Sequence, residues 1–179
     1  MSETKQITSS ILPLYSNPIA CRLKLFLHTF VDASKDAYAI VILLQINTDI
    51  SFVISKSRVA PLKIQTIPRL ELMAATLGRT LTKFVKTTLN IQNIETNFWT
   101  DSKIVLDWIH AEPHLMKTFV ANRVVQIQTT TALQEWKWIP GDQNPADIPS
   151  RGIWPLDEEK RKLTIENQKL KNEINLYLE

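Results

Sequence analysis

Four acidic residues stand where a nuclease would need them. Asp32 lies in Phe30-Val31-Asp32-Ala33-Ser34 and Asp101 in Phe98-Trp99-Thr100-Asp101-Ser102. Both segments read as strand ends. Glu71 lies in Ile67-Pro68-Arg69-Leu70-Glu71-Leu72, the opening turn of a helix, with Pro68 suited to that turn. Asp147 lies in Asn144-Pro145-Ala146-Asp147-Ile148-Pro149-Ser150-Arg151, a loop entering a short helix. Carboxylates that converge from separate elements are what a two-metal phosphodiesterase uses to hold cations roughly 4 Å apart. Oxygen donors of this kind suit two Mg²⁺ ions, with Mn²⁺ as a substitute. Such a pair would activate a water and steady the leaving oxygen in an in-line attack on phosphorus. Taken singly, a strand-end Asp is usually a turn former or a cap. Asp36, Asp49 and Asp142 read as turn residues and Asp107 as part of an exposed helix face.

The elements that must position these groups follow from periodicity. Residues 23–31 alternate and are rich in strand formers. Asp36 to Tyr38 read as a turn, and Ala39 to Ile46 as an apolar run typical of a strand buried on both faces. Asn47-Thr48-Asp49 is turn chemistry, and residues 50–57 alternate again. Three such strands with short connections make an antiparallel meander. Leu70, Leu72, Met73, Leu77, Leu81, Phe84 and Val85 form a helical apolar stripe. A fourth strand spans 94–100, and Ser102 caps a helix running to His110. Residues 117–130 form another helix with Phe119, Val120, Val124 and Ile127 on one side, and 135–140 a fifth strand. This order predicts an α/β domain with a mixed sheet. A right-handed crossover makes the fourth strand parallel to the first, giving the order 3-2-1-4-5 and bringing Asp32 and Asp101 to one sheet edge.

The chain has 179 residues, 44% of them hydrophobic, which supports one domain with a core and a tail left over. The expected organisation is a poorly ordered lead-in over 1–22, a domain over 23–152, and a charged helical tail over 153–179. A net charge of +3 permits a polyanionic partner without requiring one. The single cysteine, Cys21, excludes an internal disulfide framework and a multi-cysteine zinc site. Three glycines, Gly78, Gly141 and Gly152, are too dispersed for a phosphate-cradling loop, which excludes P-loop and Rossmann readings. No apolar run is long enough for a membrane span, and the polar N-terminus lacks a signal-peptide core. The expected location is intracellular, cytoplasmic or nuclear, and not secreted.

At this point the sequence resembles the ribonuclease H domain of BEL/Pao-type retrotransposon Pol polyproteins. The resemblance rests on the Asp32, Glu71, Asp101 and Asp147 segments, on Lys56-Ser57-Arg58-Val59-Ala60-Pro61, and on Lys117-Thr118-Phe119-Val120-Ala121-Asn122-Arg123-Val124. It covers about residues 23–152 in consistent order. It implies a ribonuclease H-like fold, with the five-stranded mixed sheet flanked by helices. It also implies hydrolysis of the RNA strand of an RNA–DNA hybrid. Asp32, Glu71, Asp101 and Asp147 match the family's metal-binding carboxylates. Many cellular relatives carry a helping histidine in the loop before the last carboxylate, whereas Gly141 to Ala146 contains none. The order Asp-Glu-Asp-Asp favours ribonuclease H over the related integrase fold, which places its Glu last. In complete elements a reverse transcriptase precedes this domain and an integrase follows, so both regions are expected partners in a parent polyprotein.

Several other residues are candidates for the substrate surface. Arg58, Lys63 and Arg69 flank Glu71, and Lys103, Lys117 and Arg123 form a second cationic group suited to phosphates. Ser34, Ser102 and Asn122 are candidates for sugar hydroxyls, the groups that distinguish RNA from DNA. His28, His110 and His114 are expected at surface or cap positions, and Trp99, Trp108, Trp136 and Trp138 in the core. An active nuclease competes with a non-catalytic nucleic-acid-binding remnant and with an interaction module that self-associates weakly through the tail. The intact carboxylate set favours the first.

Overall fold

The computed structural model describes residues 24–91 and 94–151. The expected lead-in (1–22), the tail (153–179) and Cys21 lie outside them. Strand β1 (Leu25–Ala33) pairs antiparallel with β2 (Ala37–Ile46), which pairs antiparallel with β3 (Asp49–Val59). Helix α1 (Ile67–Thr88) crosses over to β4 (Glu95–Thr100), which lies parallel to β1. Helices α2 (Lys103–His110) and α3 (Thr118–Gln128) then lead to β5 (Trp136–Trp138), parallel to β4. A four-residue helix, α4 (Asp147–Ser150), ends the described chain. The sheet order is 3-2-1-4-5, as the meander and crossover require.

Alternation along β1 separates two layers. Leu27 and Val31 join Ile40, Ile42, Leu72, Leu81, Val124 and Ile127 in the main core under α1 and α3. Phe30 on the opposite face joins Val41, Leu43, Trp99, Ile139 and Ala146. The ladder corrects several boundaries. Tyr38 belongs to β2, paired with Ala33 on one side and Arg58 on the other, so the turn lies earlier, at Ser34 to Asp36. There the Ser34 amide donates to the Ala37 carbonyl at 2.8 Å and closes the turn locally. β5 has only three residues, where a longer strand was expected. Phe84 belongs to the apolar stripe by spacing yet is 59% exposed, because the buried face of α1 runs through Leu70, Ala74, Ala75, Gly78, Leu81, Thr82 and Val85 and leaves Phe84 outside it.

That choice of small residues brings α1 close to β1. A Cβ added at Gly78 would lie 2.6 Å from Val31 Cγ1 and 3.3 Å from Thr29 Cγ2. Beside it the Thr29 and Thr82 hydroxyls share a 2.6 Å hydrogen bond, while Thr82 also donates to the Gly78 carbonyl at 2.9 Å. The close approach holds the helix that carries Glu71 against the strand that carries Asp32. Gly78→Ala is therefore expected to destabilise the domain by about 1–3 kcal/mol through overpacking, despite the roughly 1 kcal/mol that Ala gains in helix propensity. Urea unfolding of Gly78→Ala, Val31→Ala and the double variant tests this. The double variant should recover part of the loss, and strict additivity would contradict the contact.

Candidate functional site

The parallel pairing of β1 with β4 brings Asp32 and Asp101 to the same edge of the sheet, because both strands run in the same direction and these residues sit at or just past their C-terminal ends. Glu71, in the first turns of α1, and Asp147, at the start of α4, complete the group. The four carboxylates interact. Asp32 experiences the negative charges of Asp101 and Asp147, and Glu71 those of Asp101 and Asp32. Burial, with this repulsion added, pushes Asp32 from the ordinary 3.8 to about 6, although a hydrogen bond from Ser150 pulls the other way. Glu71 is also raised, first by burial and then by Asp101 and Asp32, and a hydrogen bond from Ser102 draws it back. Asp101 is raised by burial and by Asp147, against hydrogen bonds from its own backbone amide, from Asn144 and from the proton that Asp32 retains, which lower it.

The surroundings hold these side chains from behind. Ser150 Oγ donates to Asp32 Oδ2 and, by its position, also contacts the Asp147 carbonyl at 2.8 Å. Asn144 donates from Nδ2 to the Val31 carbonyl at 3.0 Å and accepts from the Ala146 amide at 3.1 Å. That ties the Asp147 loop to β1. Gly141 lies so near Asp101 that an added Cβ would fall 2.9 Å from Oδ2, and Trp138 Nε1 donates to the Asp101 carbonyl at 3.1 Å. Asp147 is paired with Arg151, whose Nη2 and Nε reach Oδ1 at 2.8 and 2.9 Å. Ser150, Asn144 and Gly141 were not singled out as site residues from sequence. Their signal was their place beside Asp147 and Asp101, but their roles depend on contacts across more than a hundred positions or from loop to strand.

The other candidates divide. Ser34 is committed to structure: its hydroxyl donates to the Ser150 carbonyl at 2.7 Å and accepts from the Asp36 and Ala37 amides. It ties α4 to the first turn. Ser102 caps α2 by accepting from the Val105 amide at 3.3 Å and supports Glu71. Arg69 and Arg123 meet on Phe119, with Cζ 4.8 and 3.6 Å from the ring centroid. Lys103 lies 5.2 Å from the Trp138 ring. Arg58, Lys63 and Asn122 are exposed. A groove of about 640 Å³ is lined by Arg69, two residues before Glu71, and by Ile104, Trp108, Leu115, Met116 and Lys117, among others.

His28 corrects the surface expectation. It is fully buried on β1, accepts at Nδ1 from Trp99 Nε1 at 3.2 Å, and so turns Nε2–H to Gln45 Oε1 at 2.9 Å. Burial lowers its pKa to about 4 and keeps it neutral. His110 and His114 are exposed, as expected. Trp99 and Trp136 are buried, whereas Trp138 is 45% exposed and lies over the Asp101 backbone rather than in the core.

Among the described residues, no group of three or more His, Cys, Asp or Glu side chains stands close enough together, as placed, to hold a metal ion. The group nevertheless fits a cation. Asp101 Oδ1 is buried without a hydrogen-bond partner, and three of the carboxylates are raised by burial and by one another. An unsatisfied buried oxygen beside repelling neighbours is the environment a hard cation relieves.

A sheet of this order, with crossing helices and acidic residues at the shared strand ends, defines a ribonuclease H-like domain. The model of the Pao retrotransposon-like RNaseH-like domain family matches residues 13–102, and the chain belongs to that family. The match includes Asp32, Glu71 and Asp101 and stops before Asp147. No curated protein sequence matches the chain. Among solved structures, it is similar to LC11-RNase H1 in complex with an RNA/DNA hybrid, at 11% identity and a TM-score of 0.53, covering 73% of this chain and 96% of that one. It is also similar to the N-terminal RNase H domain of a Mycobacterium tuberculosis protein, solved as a fusion with maltose-binding protein. That likeness has 12% identity and a TM-score of 0.50, covering 73% of this chain and 95% of that one. At these identities the likeness shows the fold. No helix among the described residues is long and apolar enough to cross a membrane.

The raised Asp32 has a stability consequence. Between pH about 4 and 6 the folded, metal-free protein retains a proton that the unfolded chain releases. Its contribution to stability therefore falls as pH rises through that window. Asp32→Asn should equal the parent near pH 4 and exceed it by ~1–3 kcal/mol at pH 7 in chelator. Denaturant midpoints across pH measure the difference, and a variant less stable at pH 7 would overturn the assignment.

Proposed function

We propose that this domain hydrolyses the RNA strand of RNA–DNA hybrids, using divalent cations held by Asp32, Glu71, Asp101 and Asp147. The observation that carries the reading is the convergence of mutually repelling carboxylates, with Asp101 Oδ1 left unsatisfied, at the shared end of two parallel strands. A site built for stability alone would not collect like charges there. Membership of a ribonuclease H-like retrotransposon family supports the substrate class. Two Mg²⁺ ions, or Mn²⁺ in their place, would supply the nucleophilic water and neutralise the charge developing on phosphorus.

The chain's own contribution is placement. Ser150 and Ser102 hydrogen-bond to Asp32 and Glu71 and so restrain the orientation of each carboxylate. Gly141 and Trp138 fix the backbone around Asp101. Arg69 and Lys117 line the groove between the start of α1 and α2, where the backbone phosphates of a hybrid would meet positive charge. Leu115, which is exposed, and the partly buried Trp108 packed against the core give one side of that groove an apolar surface for sugars and bases. Asn122, exposed on α3, is available to a 2′-hydroxyl. Reverse transcriptase and integrase regions of a parent polyprotein are the partners this reading assigns.

Asp101→Asn keeps the side-chain shape and removes the charge. With a labelled hybrid in Mg²⁺, cleavage by the purified variant is expected to fall by at least about a hundredfold, while hybrid binding in chelator persists. Binding without cleavage in the parent protein, in both Mg²⁺ and Mn²⁺, would favour the non-catalytic remnant. Undiminished cleavage by the variant would remove Asp101 from the metal set.

A further inference from the structure

A second cavity lies far from the carboxylates. It occupies about 280 Å³ between the C-terminal half of α1, the start of β4 and the chain leaving α3. Its walls carry Arg79, Lys83 and Lys86 from α1, Thr130 and Thr131 after α3, and Glu135 before β5. Thr96, at the beginning of β4, also lines it. Five residues of extended strand separate Thr96 from Asp101, or ~16 Å, so this cavity and the carboxylates occupy opposite ends of the sheet.

The chemistry of the walls narrows the ligand. Three cations face one carboxylate, and that carboxylate is already used: Glu135 Oε2 accepts from the Ala132 amide at 2.8 Å. The hydroxyls are committed as well. Thr131 Oγ1 contacts the Ile127 carbonyl at 2.9 Å and accepts from Trp136 Nε1 at 2.9 Å. Thr130 Oγ1 contacts the Gln126 carbonyl at 2.9 Å and accepts from Arg79 Nη1 at 3.1 Å. What remains unspent is positive charge with N–H donors. Arg79 Nε in particular is buried and has no hydrogen-bond partner. A buried guanidinium nitrogen without an acceptor is costly unless an oxyanion supplies one.

We propose that this cavity is a phosphate-binding site, distinct from the carboxylate cluster, in which Arg79, Lys83 and Lys86 grip one phosphate group. A neutral polyol finds few free hydroxyl partners there, and a cation is repelled. Arginine's planar fork suits phosphate oxygens, and the two lysines add point charges. The half-buried Lys86 is lowered in pKa by desolvation, which nearby Glu135 offsets only in part and a phosphate would offset further. The volume falls just below the range of ordinary small-molecule pockets and admits a phosphate with a small substituent. Phosphate can come from a free nucleotide or from a nucleic-acid backbone. The chemistry is shared, and the test separates the two sources.

The test uses the full chain, ¹⁵N-labelled and metal-free, at constant ionic strength. Inorganic phosphate is expected to shift the Arg79 Nε–H resonance and the Thr131 amide saturably in the millimolar range, and the shifts should be the same in Asp101→Asn. Lys86→Gln, on a partly exposed side chain, should raise the dissociation constant at least about tenfold, the worth of one charge-assisted contact. Arg79→Gln should abolish the shifts. If that variant fails to fold, Lys83→Gln replaces it, with the same tenfold weakening expected. A nucleoside 5′-monophosphate that binds more tightly than phosphate identifies a free nucleotide. A short hybrid that moves the same resonances, and is displaced by phosphate, identifies the backbone. Absent or non-saturating shifts, equal shifts with chloride, or unchanged binding in Lys86→Gln would overturn the proposal. Because the readout is metal-free binding, its failure leaves the nuclease reading untouched, and loss of cleavage leaves this site untouched.

Discussion

Four negative charges held near one another must be forced together by everything around them. Each is drawn from a different element, and each would be better hydrated if the elements moved apart. The fold resists through apolar burial under α1 and α3 and through the ladders of the sheet. Hydrophobic packing is non-directional and strong in sum, so it can sustain a local electrostatic cost of a few kcal/mol in a domain of this size. The carboxylate pole is where that surplus is spent.

Direction matters as much as strength. Only a parallel β1–β4 pair delivers two strand ends to one edge, and a parallel pair demands a long crossover. Helix α1 is that crossover, and its first turns carry Glu71 back to the same edge. The alanine and glycine face of α1 lets it sit low on the sheet. One topological unit thus places three of the four acids. The fourth arrives on a loop, so it needs separate ties: Asn144 to the Val31 carbonyl and Ser34 to the Ser150 carbonyl.

Much of this was legible in the chain. The meander, the crossover and the sheet order followed from local periodicity and the handedness rule, because those signals are short-range. The four acids stood out in the sequence because each sat beside an element boundary. What escaped was long-range. Ser34 offers the same hydroxyl whether it touches a sugar or the Ser150 carbonyl, and only the fold decides. Phe84 satisfies the helical stripe, yet the sheet took the smaller residues instead. His28 looked like a surface residue because its two partners lie 17 and 71 positions away. The cavity around Arg79 gathers residues from α1, β4 and the chain after α3, so no single segment announced it.

The histidine on β1 has a consequence for how the strand finds its place. Side chains on a strand alternate, so a slip of one residue would exchange the two faces of β1 throughout. His28 would then enter the hydrocarbon layer without Gln45 or Trp99, and a buried imidazole without partners is heavily penalised. The same slip would turn Asp32, four residues further on, away from Asp101. The polar trio therefore acts as an alignment key that penalises a one-residue slip in either direction. The geometry at the acidic end is in this sense proofread at the other end of the strand, by three residues that take no part in the chemistry.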